Sequence, residues 1–454
     1  MAVKMGIKFF DENILKDGFP EGFTVLVAGE PGAGKTIFGS TFLYNGMEQF
    51  GEKAVYVSLA ETKEDFYEEM KGLGMDFEKY EKEGLFKFID LVTVTPETVE
   101  KEIELMMSEI LTFQPRRIVI DSITAFAQLL GLKKTRAFLH TTLGRFIKAF
   151  GAVAFLIAEK PLGKEEIGFG VEEFVVDGVI VLKYSKLGEI VRRIMEIPKM
   201  RKRSVERAQY EYVITSKGIH FLEIPELVRG TGDVSIEKIT TGIEKLDELL
   251  GGGVYRGSVT LLVGMTGTGK TTFGLHFAIA NSLQGRKAIY FGFEEPIGQL
   301  IRAARGYGLP IDEALQNGLR LEGWIPEAKS PVYTFLKMKQ LIEEFKPGVV
   351  VIDSLTALRE HMDDTELAKM VRYFNLLIKE HNIAAYITLN ADTNFETVPF
   401  TKASTFSDNI IGLRYAINDG VIERYLSVIK ARGSGHSRKI HRYEITSQGV
   451  VIYE

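Results

Sequence analysis

The sequence predicts an α/β fold in two tandem copies, each a mostly parallel sheet flanked by helices. Three observations predict it: one long segment repeats, short uninterrupted apolar runs recur within each copy, and helical stretches separate those runs. The repeat is visible directly. Residues 22–36 read GFTVLVAGEPGAGKT and residues 257–271 read GSVTLLVGMTGTGKT. Later landmarks follow at nearly the same shift: AVYVSLAE (54–61) and AIYFGFEE (288–295), RIVIDS (117–122) and VVVIDS (349–354), IPKMR (197–201) and VIKAR (428–432), YEYVITSKGI (210–219) and HRYEITSQGV (441–450). A period this long is a duplicated domain and not a solenoid. The expected domains are 1–229 and 230–454, joined within Pro225–Lys238, where Gly230, Gly232 and Asp233 favour turns.

Taken in order, the predicted strands of the first copy are 24–28, 54–59, 117–121, 153–158 and 178–183. Those of the second are 259–263, 288–293, 349–353, 384–389 and 410–414. They are continuous apolar runs, as a parallel sheet covered on both faces requires. A helix precedes each strand that ends in aspartate. Val99, Ile103, Met106 and Ile110 recur at steps of four, three and four, so they share one helix face. Pro115 stops that helix, and Pro347 does the same in the second copy.

Bulk properties exclude several classes. The 454 residues are 45% hydrophobic and 26% charged, ordinary for a globular protein, and each half is long enough to bury a core. The net charge of −5 argues against a dedicated duplex-DNA binder, without excluding a local basic groove. With no cysteine, disulfides and thiolate metal sites are impossible. The N-terminus lacks the apolar stretch of a signal peptide, and no apolar run is long enough to span a bilayer, so a soluble cytoplasmic protein is expected.

The repeated loop carries the chemistry. Gly29-Glu30-Pro31-Gly32-Ala33-Gly34-Lys35-Thr36 and Gly264-Met265-Thr266-Gly267-Thr268-Gly269-Lys270-Thr271, followed by Thr272, both complete G-x-x-x-x-G-K-T between an apolar strand and a helical stretch. Glycines let the backbone wrap phosphates with its N–H groups inward, and the helix N-terminus favours anions. The lysine reaches the β- and γ-phosphates, and the threonine hydroxyl binds Mg²⁺. ATP and Mg²⁺ are the expected ligands. Asp121 and Asp353 each end an apolar strand, where they hold Mg²⁺ beside the phosphates or, on the bland reading, cap a turn.

Glu294 and Glu295 end a strand in the second copy, where a carboxylate can take a proton from the attacking water. The first copy has Ala60-Glu61 there, one acid fewer. Two readings follow: the first site is slow or holds nucleotide for structure, or Glu61 alone suffices. Lys199 and Arg201, and again Lys430 and Arg432, are two residues apart on a predicted strand, which puts each pair on one face. Such cations stabilise charge on a transferring phosphoryl group. Being far along the chain from the loop, they would come from a neighbouring subunit; a solvated strand face or a nucleic-acid contact at Lys199–Arg203 are the alternatives.

On these residues the chain resembles the KaiC-like branch of RecA/DnaB-type P-loop ATPases over nearly its whole length. The second copy is especially similar, in TTGIEKLDELLGGGVYRGSVTLLVG, FEE, VVVIDSLTAL and KARGSGH; in the first, GVEEFVVDGVIVL is family-like and the lead-in MGIKFFDENILKDGFPEGF departs from the pattern. The resemblance implies RecA-like domains in a double-ring homohexamer with ATP at subunit boundaries. It implies trans-acting roles for Lys199, Arg201, Lys430 and Arg432, and catalytic carboxylates at Glu61, Glu294 and Glu295. Ser404-Thr405 in KASTFSDNIIGLRY matches the family's autophosphorylated pair, with a polar turn as the plain alternative. The tail by which the family's clock protein is regulated has no counterpart after Glu454, so a regulatory or signalling switch with an unidentified protein partner is expected rather than a clock. Two other classes compete: a DNA-processing motor, which the fold permits but the acidic balance opposes, and a scaffold that binds ATP only to hold its oligomer together.

Overall fold

The computed structural model describes the whole chain except Met1, Ala60, 92–94, Pro96, 161–175, 188–189, Lys217, 222–234, 326–329, 360–363 and 391–405. The chain divides into two compact units, Met1–Glu223 and Ile224–Glu454. Most of the segment predicted to join the copies lies outside the described residues.

In the first unit the strands are β1 (Thr24–Gly29), β2 (Ala54–Ser58), β3 (Phe86–Asp90), β4 (Arg117–Asp121), β5 (Val153–Glu159), β6 (Gly178–Leu187), β7 (Ile190–Met200), β8 (Gln209–Thr215) and β9 (Gly218–Phe221). They form one sheet in the order β3-β2-β4-β5-β1-β6-β7-β8-β9. The first six run parallel and the last three extend the sheet antiparallel. Side chains alternate between two cores because successive strand residues face opposite ways. Val25, Val27 and Val119 join Phe38 and Phe42 of the helix Lys35–Phe50 on one face; Leu26, Ala28, Ile118 and Ile120 join Val99, Ile103, Met106 and Ile110 of the helix Val99–Phe113 on the other. That second helix ends at Gln114 in the left-handed conformation, one residue before Pro115.

The second unit repeats the plan. After a short pair β10 (Lys238–Ile239) and β11 (Val254–Tyr255) come β12 (Val259–Gly264), β13 (Ala288–Gly292), β14 (Leu319–Gly323), β15 (Val349–Asp353), β16 (Ala384–Asn390), β17 (Asn409–Asn418), β18 (Val421–Ala431), β19 (Ile440–Thr446) and β20 (Gly449–Ile452). The sheet order is β14-β13-β15-β16-β12-β17-β18-β19-β20. Packing detail repeats as well. Phe42 stacks on Phe155 with ring centroids 4.1 Å apart, and Phe277 stacks on Tyr386 at 4.1 Å. Each such pair contributes roughly 0.5–1.5 kcal/mol beyond its burial and pins the helix that follows the glycine loop to the sheet.

The divergent lead-in of the first copy folds like its partner. Asp11 accepts from the backbone N–H groups of Met5 and Gly6 at 2.7 and 2.8 Å, and Asp247 accepts from Thr241 N–H at 2.7 Å. The edge strands β3 and β14 were not predicted, because Phe86–Asp90 and Leu319–Gly323 interleave charged residues with apolar ones.

Candidate functional site

Each glycine loop closes the C-terminal end of the central strand and opens a helix. Gly34 and Gly269 cap those helices at φ +86° and +92°, in the left-handed region that favours glycine. A Cβ there would lie 2.5 Å from Ile214 Cδ1 in the first copy and 2.2 Å from Ile445 Cδ1 in the second. The carbonyls of the loops are tied back by the antiparallel extension: Tyr212 OH donates to Ala33 O at 2.5 Å, and Tyr443 OH donates to Thr268 O at 2.6 Å. Arg193 Nε also donates to Gly32 O at 3.2 Å.

The lysines lie within these loops. Lys35 Nζ donates to Glu30 O at 3.2 Å; Lys270 Nζ donates to Gly264 O and Met265 O, both at 2.9 Å. Burial holds both ammonium groups below their usual pKa, opposed by Asp121 and Glu159 in the first copy and by Asp353 and Glu294 in the second. Neighbouring carboxylates thus help to keep each lysine charged, as phosphate binding requires.

The strand-end aspartates meet the loops from two strands away. Asp121 Oδ2 accepts from Thr36 Oγ1 and Tyr56 OH, both at 2.8 Å. Burial raises the Asp121 pKa, and the Thr36 and Tyr56 bonds oppose that rise. Asp353 has a different set: Oδ2 accepts from Tyr290 OH at 2.6 Å, and Oδ1 accepts from Thr388 Oγ1. The position of Thr388 in β16 is Ile157 in β5, so the second aspartate has a threonine donor that the first lacks. In the first copy the donor set fits a magnesium–nucleotide complex: the Thr36 hydroxyl and an Asp121 carboxylate oxygen stand in contact beside the lysine-bearing loop.

The acids lie past the strand ends and not on them. β13 stops at Gly292, so alternation along a strand does not force Glu294 and Glu295 apart. Glu294 Oε1 accepts from Ser354 Oγ, beside Asp353. The pKa of Glu295 is raised by burial and by the Asp353 and Glu294 charges. In the first copy Glu61 is held by its backbone to Ser58 Oγ, its N–H donating at 2.9 Å. Its Oε2 is buried with no hydrogen-bond partner among the described residues. Burial and the charges of Glu69, Asp121 and Asp65 raise its pKa. Ala60 lies outside the described residues.

The predicted cations lie elsewhere. Lys199 is on β7 and Lys430 on β18, but Arg201 and Arg432 each fall one residue beyond the strand's end, on the following turn, so the expected strand-face pairing is corrected. Each arginine N–H still bonds across to the residue before the neighbouring strand, Arg201 to Asp177 O at 2.9 Å and Arg432 to Asp408 O at 3.0 Å, and the chain turns after that last bond. The guanidinium groups pair with the same aspartates, at 3.5 Å and 3.7 Å. Lys430 Nζ donates to Ser407 O at 2.6 Å. Lys199 is in register with Val179, and Val179 with Leu26, three residues before Gly29. At ~3.3 Å per residue and ~4.8 Å per strand, it stands about 10 Å back toward the opposite end of the strands and about 10 Å sideways from its own loop. The structure therefore brings together loop, lysine, aspartate and acids, and leaves these cations toward the opposite end of the strands, on or just past β7 and β18. Ser404 and Thr405 lie outside the described residues.

Sequence reasoning missed Tyr56, Tyr290, Tyr212, Tyr443 and Thr388. The tyrosines carried one available signal: a buried phenol in an apolar strand needs a polar partner.

A family described as "ATPase: KaiC" matches residues 3–226 and again 239–454. The chain is 32% identical over 467 residues to the circadian clock oscillator protein KaiC of Parathermosynechococcus lividus, covering 98% of this chain and 84% of the relative. It is 33% identical over 459 residues to that of Synechococcus elongatus, covering 98% and 87%. It is 32% identical over 462 residues to that of Acaryochloris marina, again covering 98% and 87%. Among the described residues no helix is long and apolar enough to cross a membrane.

Proposed function

The chain belongs to the KaiC family of ATPases, and from that premise we propose that it hydrolyses ATP at two sites per subunit, as a cytoplasmic homohexameric double ring that works as a regulatory switch. The observation that carries this reading is the repeated convergence of a lysine in a glycine loop, a buried aspartate, and an acid past the adjacent strand.

In this reading the loop N–H groups and Lys35 or Lys270 bind the phosphates. Thr36 with Asp121, and Thr271 with Asp353, hold magnesium, which when bound neutralises charge on the β- and γ-phosphate oxygens. Glu61 and Glu295, whose raised pKa values bring them closer to the range of a general base, accept the proton of the attacking water. Glu294, fixed by the Ser354 hydroxyl, holds that water in the second site. Lys199, Arg201, Lys430 and Arg432, too far from their own loops, serve the site of a neighbouring subunit.

A further activity, phosphoryl transfer to Ser404 or Thr405 by the second site, is proposed on sequence pattern alone; mass spectrometry after incubation with ATP·Mg²⁺ tests it, and no phosphate on either residue rejects it. The hydrolase reading is tested by phosphate release from Lys270→Ala. It predicts that most turnover disappears; unchanged turnover would remove the second site as the main engine. Sedimentation with ATP·Mg²⁺ tests the ring, and a monomer alone would defeat both the ring and the trans role of Arg432.

A further inference from the structure

Outside the glycine loops the two sites carry the same number of acids in different places. In the sheet, β5 lies between β1, which ends in the glycine loop, and β4, which ends in Asp121. Whatever residue ends β5 therefore stands between the phosphate loop and the metal-holding aspartate. In the first copy that residue is Glu159; in the second, at the end of β16, it is Asn390. The placement is fixed in both. Glu159 pairs in register with Gly29 and Asn390 with Gly264, the first glycine of each loop. Glu159 N–H donates to Thr124 Oγ1 at 3.0 Å, and Asn390 N–H donates to Thr356 Oγ1 at 2.8 Å. The next residue, Lys160, closes the contact by donating its N–H to Gly29 O at 2.9 Å.

The exchange of side chains is reciprocal. The first copy has alanine where the second has Glu294, and glutamate where the second has Asn390. Outside the glycine loops, where Glu30 stands opposite Met265, each site thus has three carboxylates: Glu61, Asp121 and Glu159 against Glu294, Glu295 and Asp353. The chemistry of the two β5-end groups differs. A carboxamide N–H can donate directly to a phosphate oxygen, whereas a carboxylate is acceptor-only and is repelled by phosphate. Glu159 therefore tolerates a γ-phosphate nearby only with a donor between them. Lys35 is one such donor and a water molecule is another; the Glu159 charge acts on both Lys35 and Asp121.

We propose that Glu159 is the water-holding carboxylate of the first site, supplying from the end of β5 the acid that the second site supplies from Glu294. This rests on the reading of the loop as an ATP site. The water oxygen bonds to the γ-phosphorus as the bond to the β,γ-bridging oxygen breaks, leaving ADP and inorganic phosphate, and the water's proton passes to Glu61. Glu159 accepts a hydrogen bond from the water's other O–H and aims its lone pair at phosphorus. The first site is on this account a working hydrolase with its acids rearranged.

The test uses the full-length chain with Lys270→Ala, so that the first site is read alone. Phosphate release gives kcat, and a fluorescent ATP analogue gives affinity. Glu159→Gln is expected to lower kcat by about 10²-fold with affinity unchanged, the range for a reactant held about 1 Å out of place. Ala60→Glu combined with Glu159→Asn, which writes the second site's pattern into the first, is expected to restore kcat to within about tenfold of the parent. An unchanged kcat in Glu159→Gln, or a loss of affinity in place of kcat, overturns the proposal; the latter outcome would make Glu159 a structural partner of Lys35. A parent with no turnover at its first site also overturns it, provided the analogue still binds there. If Lys35→Ala changes neither binding nor turnover in this background, the ATP-site reading itself is what fails.

Discussion

Replacing Thr388 by valine removes one hydroxyl from the second site and leaves the shape of the side chain nearly intact. Thr388 is fully buried, and its Oγ1 donates to Oδ1 of Asp353, itself only 8% exposed. A hydrogen bond to a charged group is worth about 1.5–3 kcal/mol, and the bond lost here strands a buried carboxylate oxygen. At about 1.36 kcal/mol per factor of ten, the second domain's folding equilibrium should shift by roughly 10- to 150-fold. Thr388→Ser keeps the donor and should recover most of that loss. The assay is built into the chain: Trp324 is its only tryptophan and packs on Phe291 and Phe293, with ring centroids 5.3 and 6.1 Å away. Urea unfolding followed by tryptophan fluorescence, without nucleotide, therefore reports the second domain selectively. A valine variant within about 0.5 kcal/mol of the parent, the range of a neutral surface change, would refute the reasoning, as would a serine variant no better than valine.

Other outcomes are equally specific. Gly269→Ala forces a Cβ to within 2.2 Å of Ile445 Cδ1 at a φ of +92°, and should destabilise the second domain by about 2–4 kcal/mol and weaken nucleotide binding; parental unfolding and affinity would contradict this. Mixing Lys270→Ala with Arg432→Ala subunits should raise turnover above that of either alone by restoring the second site, because one supplies an intact arginine and the other an intact loop; no recovery on mixing would defeat the trans role. Burial holds the His276 pKa below its usual 6.5, with Nε2 accepting from Val450 N–H at 3.0 Å. The neutral ring is the folded form, so its stabilisation is complete above about pH 6.5 and is lost as pH falls from there toward the lower folded value. Unfolding midpoints between pH 7.5 and 5 should fall in the parent and fall less in His276→Gln, and parallel curves would exclude the histidine.

Much of the site was legible because its chemistry is written in adjacent residues. The glycine loops, Lys35, Lys270 and the strand-end aspartates announce themselves by local spacing between an apolar run and a helix. The strands were legible where both faces are buried, as in β4 and β15, and not at the edges, where β3 and β14 carry solvent-facing charges. Tyr290 and Thr388 were not legible, because their partner Asp353 is reached through sheet register and not along the chain. The cations were recognised by type, but a strand pattern could not foresee that Arg201 and Arg432 turn back onto Asp177 and Asp408. Glu159 falls just past the apolar run 153–158 and was not singled out; its meaning depends on β5 lying between β1 and β4, which only the strand order gives.

Titration calorimetry of the purified chain, stripped of nucleotide and supplied with magnesium, addresses the twin-site account most directly. It predicts two bound nucleotides per chain, with Lys35→Ala and Lys270→Ala each abolishing a different one. Binding of one nucleotide or none by the parent, or stoichiometry indifferent to both lysines, would contradict it.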